Sequence, residues 1–394
     1  MTSSRTERWL WVTPAITDLR ATGALVYSLS LAEAVAEHGV DITCVGLGQS
    51  TEAPESSHLR YVCVDASPRP GWRRLASLSP NQTSATSVPA FRQRVEELSS
   101  ERWDAVVVDG LQTGWAASHL VPGSDRCAVY VAHNHESSMR SQIARSMSWS
   151  SFRRPLLELD AIKTRRLERR LLRRSDVVSS ISIDDLEQFK QQAPHADHVL
   201  VPPGWSGPSE PVRPLDIADR PRRVGILGSF EWHAKQEGLR RFLTVADPKF
   251  AEAGIELVIA GNVPDDFRRT LGNLRATSFL GWVESPTHLL ASCRIGAIAE
   301  PLGGGFKLKA LDYVFGDVVV ATLSHSAAGL PFSAGSSMIV ADDEQQLVGA
   351  IMETIDDPSL LRQMALEAHA IAEGTFSWSV AARTLIDAVE RADR

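Results

Sequence analysis

Short apolar runs of strand length alternate with stretches of helical periodicity along almost the whole chain, and the alternation is broken once. The first set of runs lies at 9–13, 40–46, 59–64, 105–108, 128–131, 177–181 and 198–201, and helical stretches, beginning with 25–37, separate most of them. Strand, helix, strand at this spacing is a βαβ unit, which requires parallel strands. Pro202, Pro203, Pro208, Pro211, Pro214 and Pro221 then crowd one stretch that can continue neither a helix nor a central strand. A second set of runs follows at 224–228, 255–260, 278–280, 295–299, 318–321 and 338–340, and helical stretches at 344–355, 359–372 and 379–391 close the chain. The expected fold class is α/β: two doubly wound, Rossmann-like domains at 1–203 and 223–375, joined by a linker at 204–222. Two such domains set two rows of strand C-terminal ends around a central cleft, the place where open α/β sheets bind ligands.

Composition agrees with two cores. The chain has 394 residues, 43% of them hydrophobic and 23% charged. A net charge of −7 speaks against a nucleic-acid partner, which selects a dominant basic face. No apolar run is long enough to cross a bilayer, and residues 1–8 lack the apolar centre of a secretion signal. The expectation is a cytoplasmic protein. Cys44, Cys63, Cys127 and Cys293 form no CxxC pair and read as buried free thiols, not as zinc ligands or a disulfide framework.

The stretch 300–322 carries the most chemistry. A strand runs to Glu300. Then come Gly303, Gly304 and Gly305, and after Phe306 a helix whose start carries Lys307, Leu308 and Lys309. Glycines admit close backbone approach to a ligand, and a helix start offers free N–H groups. Lysines in a first turn oppose the helix dipole unless an anion sits there. Asp312, about a turn further on, suits the paired hydroxyls of a ribose. The alternative is a plain glycine-rich turn with a solvated lysine face.

This segment resembles the donor-binding motif of retaining GT-B glycosyltransferases of the family 4 type, in the variant Gly-x-Gly-x-Lys-x-Lys-x-Leu-Glu-Tyr. Gly303, Gly305, Lys307, Lys309, Leu311, Asp312 and Tyr313 hold those places. The resemblance implies that the lysines face the donor diphosphate and that Asp312 replaces the ribose-binding Glu. The family's usual second Glu falls at Gly304, so recognition of the sugar passes to backbone N–H groups or to Glu300. The stretch 228–238 resembles the phosphate loop of the C-terminal domain, with Lys235 at its second basic position and Ser229 at its first. Gly281, Trp282 and Val283 match the loop that flanks the nucleobase, where a core tryptophan is the alternative. Thr22-Gly23 matches the glycine loop of the N-terminal domain. His133-Asn134-His135-Glu136 resembles the family's histidine loop, which puts His133 near the transferred sugar and Asn134, Glu136 and Arg140 on the acceptor side. Phe376-Ser-Trp378 resembles the start of the final helix (376–394), which crosses back to the first domain.

What the resemblance implies is sugar transfer from a UDP- or GDP-sugar to an acceptor hydroxyl with retention. Lys235, Lys309 and His133 serve catalysis, and neither a metal nor another cofactor takes part. The acceptor, whether lipid-linked glycan, small molecule or protein, is open. Basic residues crowd 140–174 against three acids (Glu158, Asp160 and Glu168), which makes this stretch a candidate for peripheral contact with an anionic membrane or simply a solvated helix. The stretch 68–89 reads as a long polar loop bordering the acceptor. Rival readings are a nucleotide-sugar 2-epimerase-like enzyme on the same fold, an inactive relative, or a two-lobed binding protein; the last normally carries a secretion signal.

Overall fold

The computed structural model describes residues 6–17, 22–49, 57–75, 77–146, 154–205, 207, 216–231, 233–283, 286–300, 306–327 and 329–392. The chain divides into two compact units. One comprises Met1–Gly204 with Phe376–Arg394, and the other Trp205–Thr375.

The first unit is built on a seven-stranded parallel sheet. Its strands are β1 (Arg8–Ala15), β2 (Asp41–Leu47), β3 (Leu59–Val64), β4 (Ala105–Asp109), β5 (Cys127–Ala132), β6 (Val177–Ser180) and β7 (Asp197–Leu200), in the order β3-β2-β1-β4-β5-β6-β7. β4 and β5 are buried at every residue, as continuous apolar runs must be when both faces of a parallel sheet are covered. Sequence order reverses between β1 and β4, the switch point of a doubly wound sheet. The helix Gly23–Glu37 follows β1, and its first turn is capped by the Thr22 hydroxyl, which accepts from the Leu25 N–H at 3.3 Å.

The closing helix Trp378–Ala392 buries Ala381, Ala382, Leu385, Ala388 and Val389 in this same unit and packs on the helix Gly23–Glu37. Small residues permit the approach. At Gly204 a Cβ would lie 2.3 Å from the Trp378 nitrogen.

The second unit repeats the architecture with six parallel strands: β8 (Arg223–Leu227), β9 (Glu256–Ala260), β10 (Thr277–Gly281), β11 (Ile295–Ile298), β12 (Val319–Leu323) and β13 (Ile339–Ala341), ordered β10-β9-β8-β11-β12-β13. Its switch point lies between β8 and β11. Ile217 belongs to this unit's apolar core, and the buried Arg220 guanidinium donates to the Cys293 and Asp317 carbonyls at 2.9 Å each. The end of the stretch read as a linker is thus anchored structure.

The polar stretch 68–89 is not a loop. It forms the helices Gly71–Leu75 and Asn81–Thr86 and leads into Pro89–Ser99. Its hydroxyls substitute for an apolar face: Thr83 donates to the Leu111 carbonyl at 2.7 Å and Thr86 to the Gln112 carbonyl at 2.6 Å. The basic stretch becomes the helices Glu136–Ser146 and Arg154–Leu172; residues 147–153 lie outside the described residues. Among the described residues no helix is long and apolar enough to cross a membrane. All four cysteines are free, and all but Cys63 are buried.

Candidate functional site

In the second unit, a polar cluster gathers where β8 and β11 end side by side at the switch point. β8 runs into Gly228, and β9, its neighbour, into Gly261. A Cβ at Gly261 would stand 2.0 Å from the Gly228 carbonyl oxygen, and its φ of +118° belongs to glycine, so the two strand ends approach closer than side chains allow. The helix His233–Ala253 then supplies Lys235 in its first turn.

Past β11 the chain reaches Glu300. Its carbonyl accepts from the Ser326 hydroxyl at 2.5 Å and from His325 Nε2 at 3.0 Å, which fixes the backbone there. The Glu300 carboxylate is buried and meets three lysines. Lys309 Nζ hydrogen-bonds Oε1 and also donates to the Leu227 carbonyl at 3.2 Å. Lys235 Nζ lies 3.8 Å from Oε1, and Lys307 Nζ 3.8 Å from Oε2. Burial alone would raise the Glu300 pKa, but the lysine charges, Lys309 foremost, outweigh it and hold the carboxyl down at about 2. Burial lowers the pKa of Lys307 and of Lys309 against the pull of Glu300. Three ammonium groups share one carboxylate, so the cluster carries a formal surplus of two positive charges.

The helix starts at Lys309, not Lys307, and runs only to Phe315. Asp312 on it accepts from the Trp205 indole N–H at 3.3 Å, and burial pushes its carboxyl up to about 6. Trp205 stacks on Phe315 with ring centres 4.3 Å apart. Tyr313 is buried beneath: its hydroxyl accepts from the Leu227 N–H at 2.9 Å, and Gly296 leaves room for its ring. Phe306 and Leu308 are half-buried beside the lysines, and Ser229 is exposed. Trp282 is 78% exposed after β10, which removes the core alternative; Val283 beside it is half-buried. Gly303, Gly304 and Gly305 lie outside the described residues.

In the first unit, His133 follows β5 and is buried. Its Nε2 lies 2.7 Å from Asp109 Oδ1, at the end of β4, and 3.4 Å from the Ser28 hydroxyl. The Trp11 indole donates to the other Asp109 oxygen at 3.0 Å. A carboxylate only accepts, so the neutral imidazole donates from Nε2 and presents Nδ1 as an acceptor. Nδ1 is buried with no hydrogen-bond partner. Sequence reasoning missed Asp109; its only signal was a carboxylate closing an otherwise apolar strand.

Gly23 is exposed at the head of its helix. Glu136 is buried and accepts from Asn134 at 3.3 Å and from Gln82 at 3.1 Å, while Arg140 lies 3.8 Å from its carboxylate and donates to Gln82 at 2.6 Å. Glu168 accepts the Glu136 and Ser137 N–H groups at the helix start, yet burial raises its carboxyl to about 7. Asn134, Glu136 and Arg140 are therefore tied into one network, separate from the His133–Asp109 pair. Among the described residues no group of three or more His, Cys, Asp or Glu side chains is placed to hold a metal ion.

The sequence matches the glycosyl transferase 4-like domain over residues 22–205 and the glycosyl transferases group 1 family over residues 221–357. The chain belongs to the GT-B glycosyltransferases. The fold of this glycosyltransferase is shared with sucrose-phosphate synthase from Thermosynechococcus elongatus, at a TM-score of 0.70 and 16% identity over 98% of both chains. It is shared with Anabaena HepE in complex with UDP and glucose, at 0.66 and 15% over 98% of this chain and 100% of that one. WaaG, a glycosyltransferase involved in lipopolysaccharide biosynthesis, matches at 0.64 and 13% over 95% and 98%. Comparison with curated proteins gives no significant sequence match. The two family matches fall one on each unit, and the lysine cluster lies within the second.

Proposed function

We propose that this glycosyltransferase uses a UDP- or GDP-sugar as donor and transfers the sugar to an acceptor hydroxyl with retention. The observation that carries the reading is the surplus of positive charge where Lys235, Lys307 and Lys309 converge at the switch point of the second unit. Breaking the anomeric C–O bond builds an oxocarbenium-like sugar and concentrates charge on the leaving diphosphate. Ammonium groups fixed beforehand stabilise that charge without reorganising, and the reading needs no metal. Asp312 would accept from the ribose hydroxyls, releasing Trp205, and exposed Trp282 with Val283 would flank the base. His133 would meet the sugar through Nδ1. Asn134, Glu136 and Arg140 would serve the acceptor side. In such a reaction the acceptor attacks on the face the diphosphate leaves, and the diphosphate takes the proton.

Complexes of HepE with UDP and with UDP-glucose support the donor class by fold alone. A thermal-shift screen of UDP-glucose, UDP-N-acetylglucosamine and GDP-mannose tests it. Stabilisation by one of them is expected, and no shift with any at millimolar concentration would overturn the reading.

We further propose that the enzyme works in the cytoplasm at the inner face of a membrane. The helix Arg154–Leu172 exposes Leu156, Leu159 and Ile162, each 46–48% accessible, and the arginines Arg165, Arg166, Arg169 and Arg170 follow them on the exposed side. An apolar patch followed by cations suits an anionic bilayer surface. Cosedimentation with phosphatidylglycerol vesicles, absent with phosphatidylcholine, is the expected result; equal binding or none would refute it.

A further inference from the structure

The donor reading leaves Glu300 unexplained, because a carboxylate in the middle of a diphosphate site repels the ligand. Its placement is no accident of a mobile side chain. The backbone is clamped by Ser326 and His325, the side chain is 9% exposed, and each carboxylate oxygen faces at least one lysine. The formal charge of the cluster matters here. Three ammonium groups and one carboxylate sum to plus two. A nucleotide sugar carries one negative charge on each of its two phosphates. The nucleoside diphosphate left after transfer has a terminal phosphate whose second proton comes off near pH 6, by analogy with phosphate monoesters. It therefore exceeds the donor by about one negative charge. With Glu300 in place the site balances the donor and is overfilled by the product.

We propose that Glu300 sets the charge of the lysine cluster, so that the nucleotide sugar is matched and the nucleoside diphosphate product is repelled and released. Glu300 is thereby a discriminating residue for product against donor, not a ligand of the sugar. It also keeps the three lysines together in the empty site, where they would otherwise repel one another. This inference rests on the donor reading above.

The test is isothermal titration of Glu300→Gln with UDP, GDP and the matching nucleotide sugar at pH 8. The nucleoside diphosphate that the unsubstituted protein binds should bind at least tenfold tighter. The nucleotide sugar should gain at least threefold less than that, so product inhibition rises relative to the donor KM and kcat falls. A folded Glu300→Gln protein that binds the diphosphate no tighter, or that gains equally for both ligands, would overturn the inference. Should Glu300→Gln not fold with three uncompensated lysines, the same comparison is made between Lys235→Met and Lys235→Met/Glu300→Gln. The double variant must then bind the diphosphate at least tenfold tighter than the single one. An unsubstituted protein that binds neither UDP nor GDP would overturn the donor reading itself, an outcome distinct from failure of the charge argument.

Discussion

Asp109 is the residue whose loss the structure prices most directly. Its carboxylate is fully buried and accepts two hydrogen bonds, from the Trp11 indole at 3.0 Å and from His133 Nε2 at 2.7 Å. Both donors are themselves buried; the indole is wholly so. Asp109→Ala leaves each without its protein partner. One buried donor left unsatisfied costs about 1–3 kcal/mol, so the pair costs about 2–6 kcal/mol. For a unit of this size that lowers the melting temperature by roughly 5–20 °C. Scanning calorimetry reads this in the transition of the first unit, with the second as internal control. Transfer activity should fall further than stability explains, because the His133 ring loses the bond that sets its tautomer and aim. Asp109→Asn, which keeps one acceptor but turns a donor on the other partner, should fall between the two. A double-mutant cycle of Asp109→Ala with His133→Ala should show coupling above about 1 kcal/mol. A loss of less than about 1 kcal/mol in Asp109→Ala, or additive single effects in the cycle, would refute the reasoning.

Three further outcomes are expected. Lys309→Ala removes the lysine closest to Glu300 and should abolish transfer while circular dichroism stays unchanged; near-normal turnover would remove the lysines from the mechanism. Trp282→Ala, at a side chain 78% exposed, should leave the melting temperature alone and weaken nucleotide binding roughly 2- to 12-fold, the loss of about 0.5–1.5 kcal/mol of stacking, measured by titration. Glu168 ionises near pH 7 when folded against 4.5 for the free group, so the folded state holds the proton longer; its contribution is full below pH 4.5 and is lost as pH rises through about 7. The first unit should lose about 3 kcal/mol over that window, and Glu168→Gln should flatten the pH dependence of its calorimetric transition.

The alternation of apolar runs carried the fold, because buried parallel strands must be apolar on both faces and so stand out from amphipathic helices. β3 falls at the residues its apolar run occupies, and the other strands lie within a residue or two of theirs. Where polar side chains did the packing, the signal failed. The helix Asn81–Thr86 buries Thr83, Ser84 and Thr86, and in sequence that reads as a loop. Lysines beside glycines suggested an anion site through their opposition to the helix dipole, but the helix begins at Lys309, so Lys307 precedes it and only Lys309 stands in the first turn.

The partners of those lysines and of His133 were not legible, because strand order decides them. Asp109 and His133 stand 24 residues apart in the chain. They meet because β4 and β5 are neighbours in a register that sets Asp109 opposite Val131, which leaves His133 one step beyond the sheet's edge. Lys235 and Glu300 meet for the same reason, since β8 and β11 adjoin only where the sheet reverses its order. In the second unit the polar groups that sequence could name individually acquire their partners at the switch point, and in the first between the neighbouring strands β4 and β5. That is why the same charged residue, Glu300, reads from sequence as a candidate sugar ligand and from the fold as the counter-charge of three lysines.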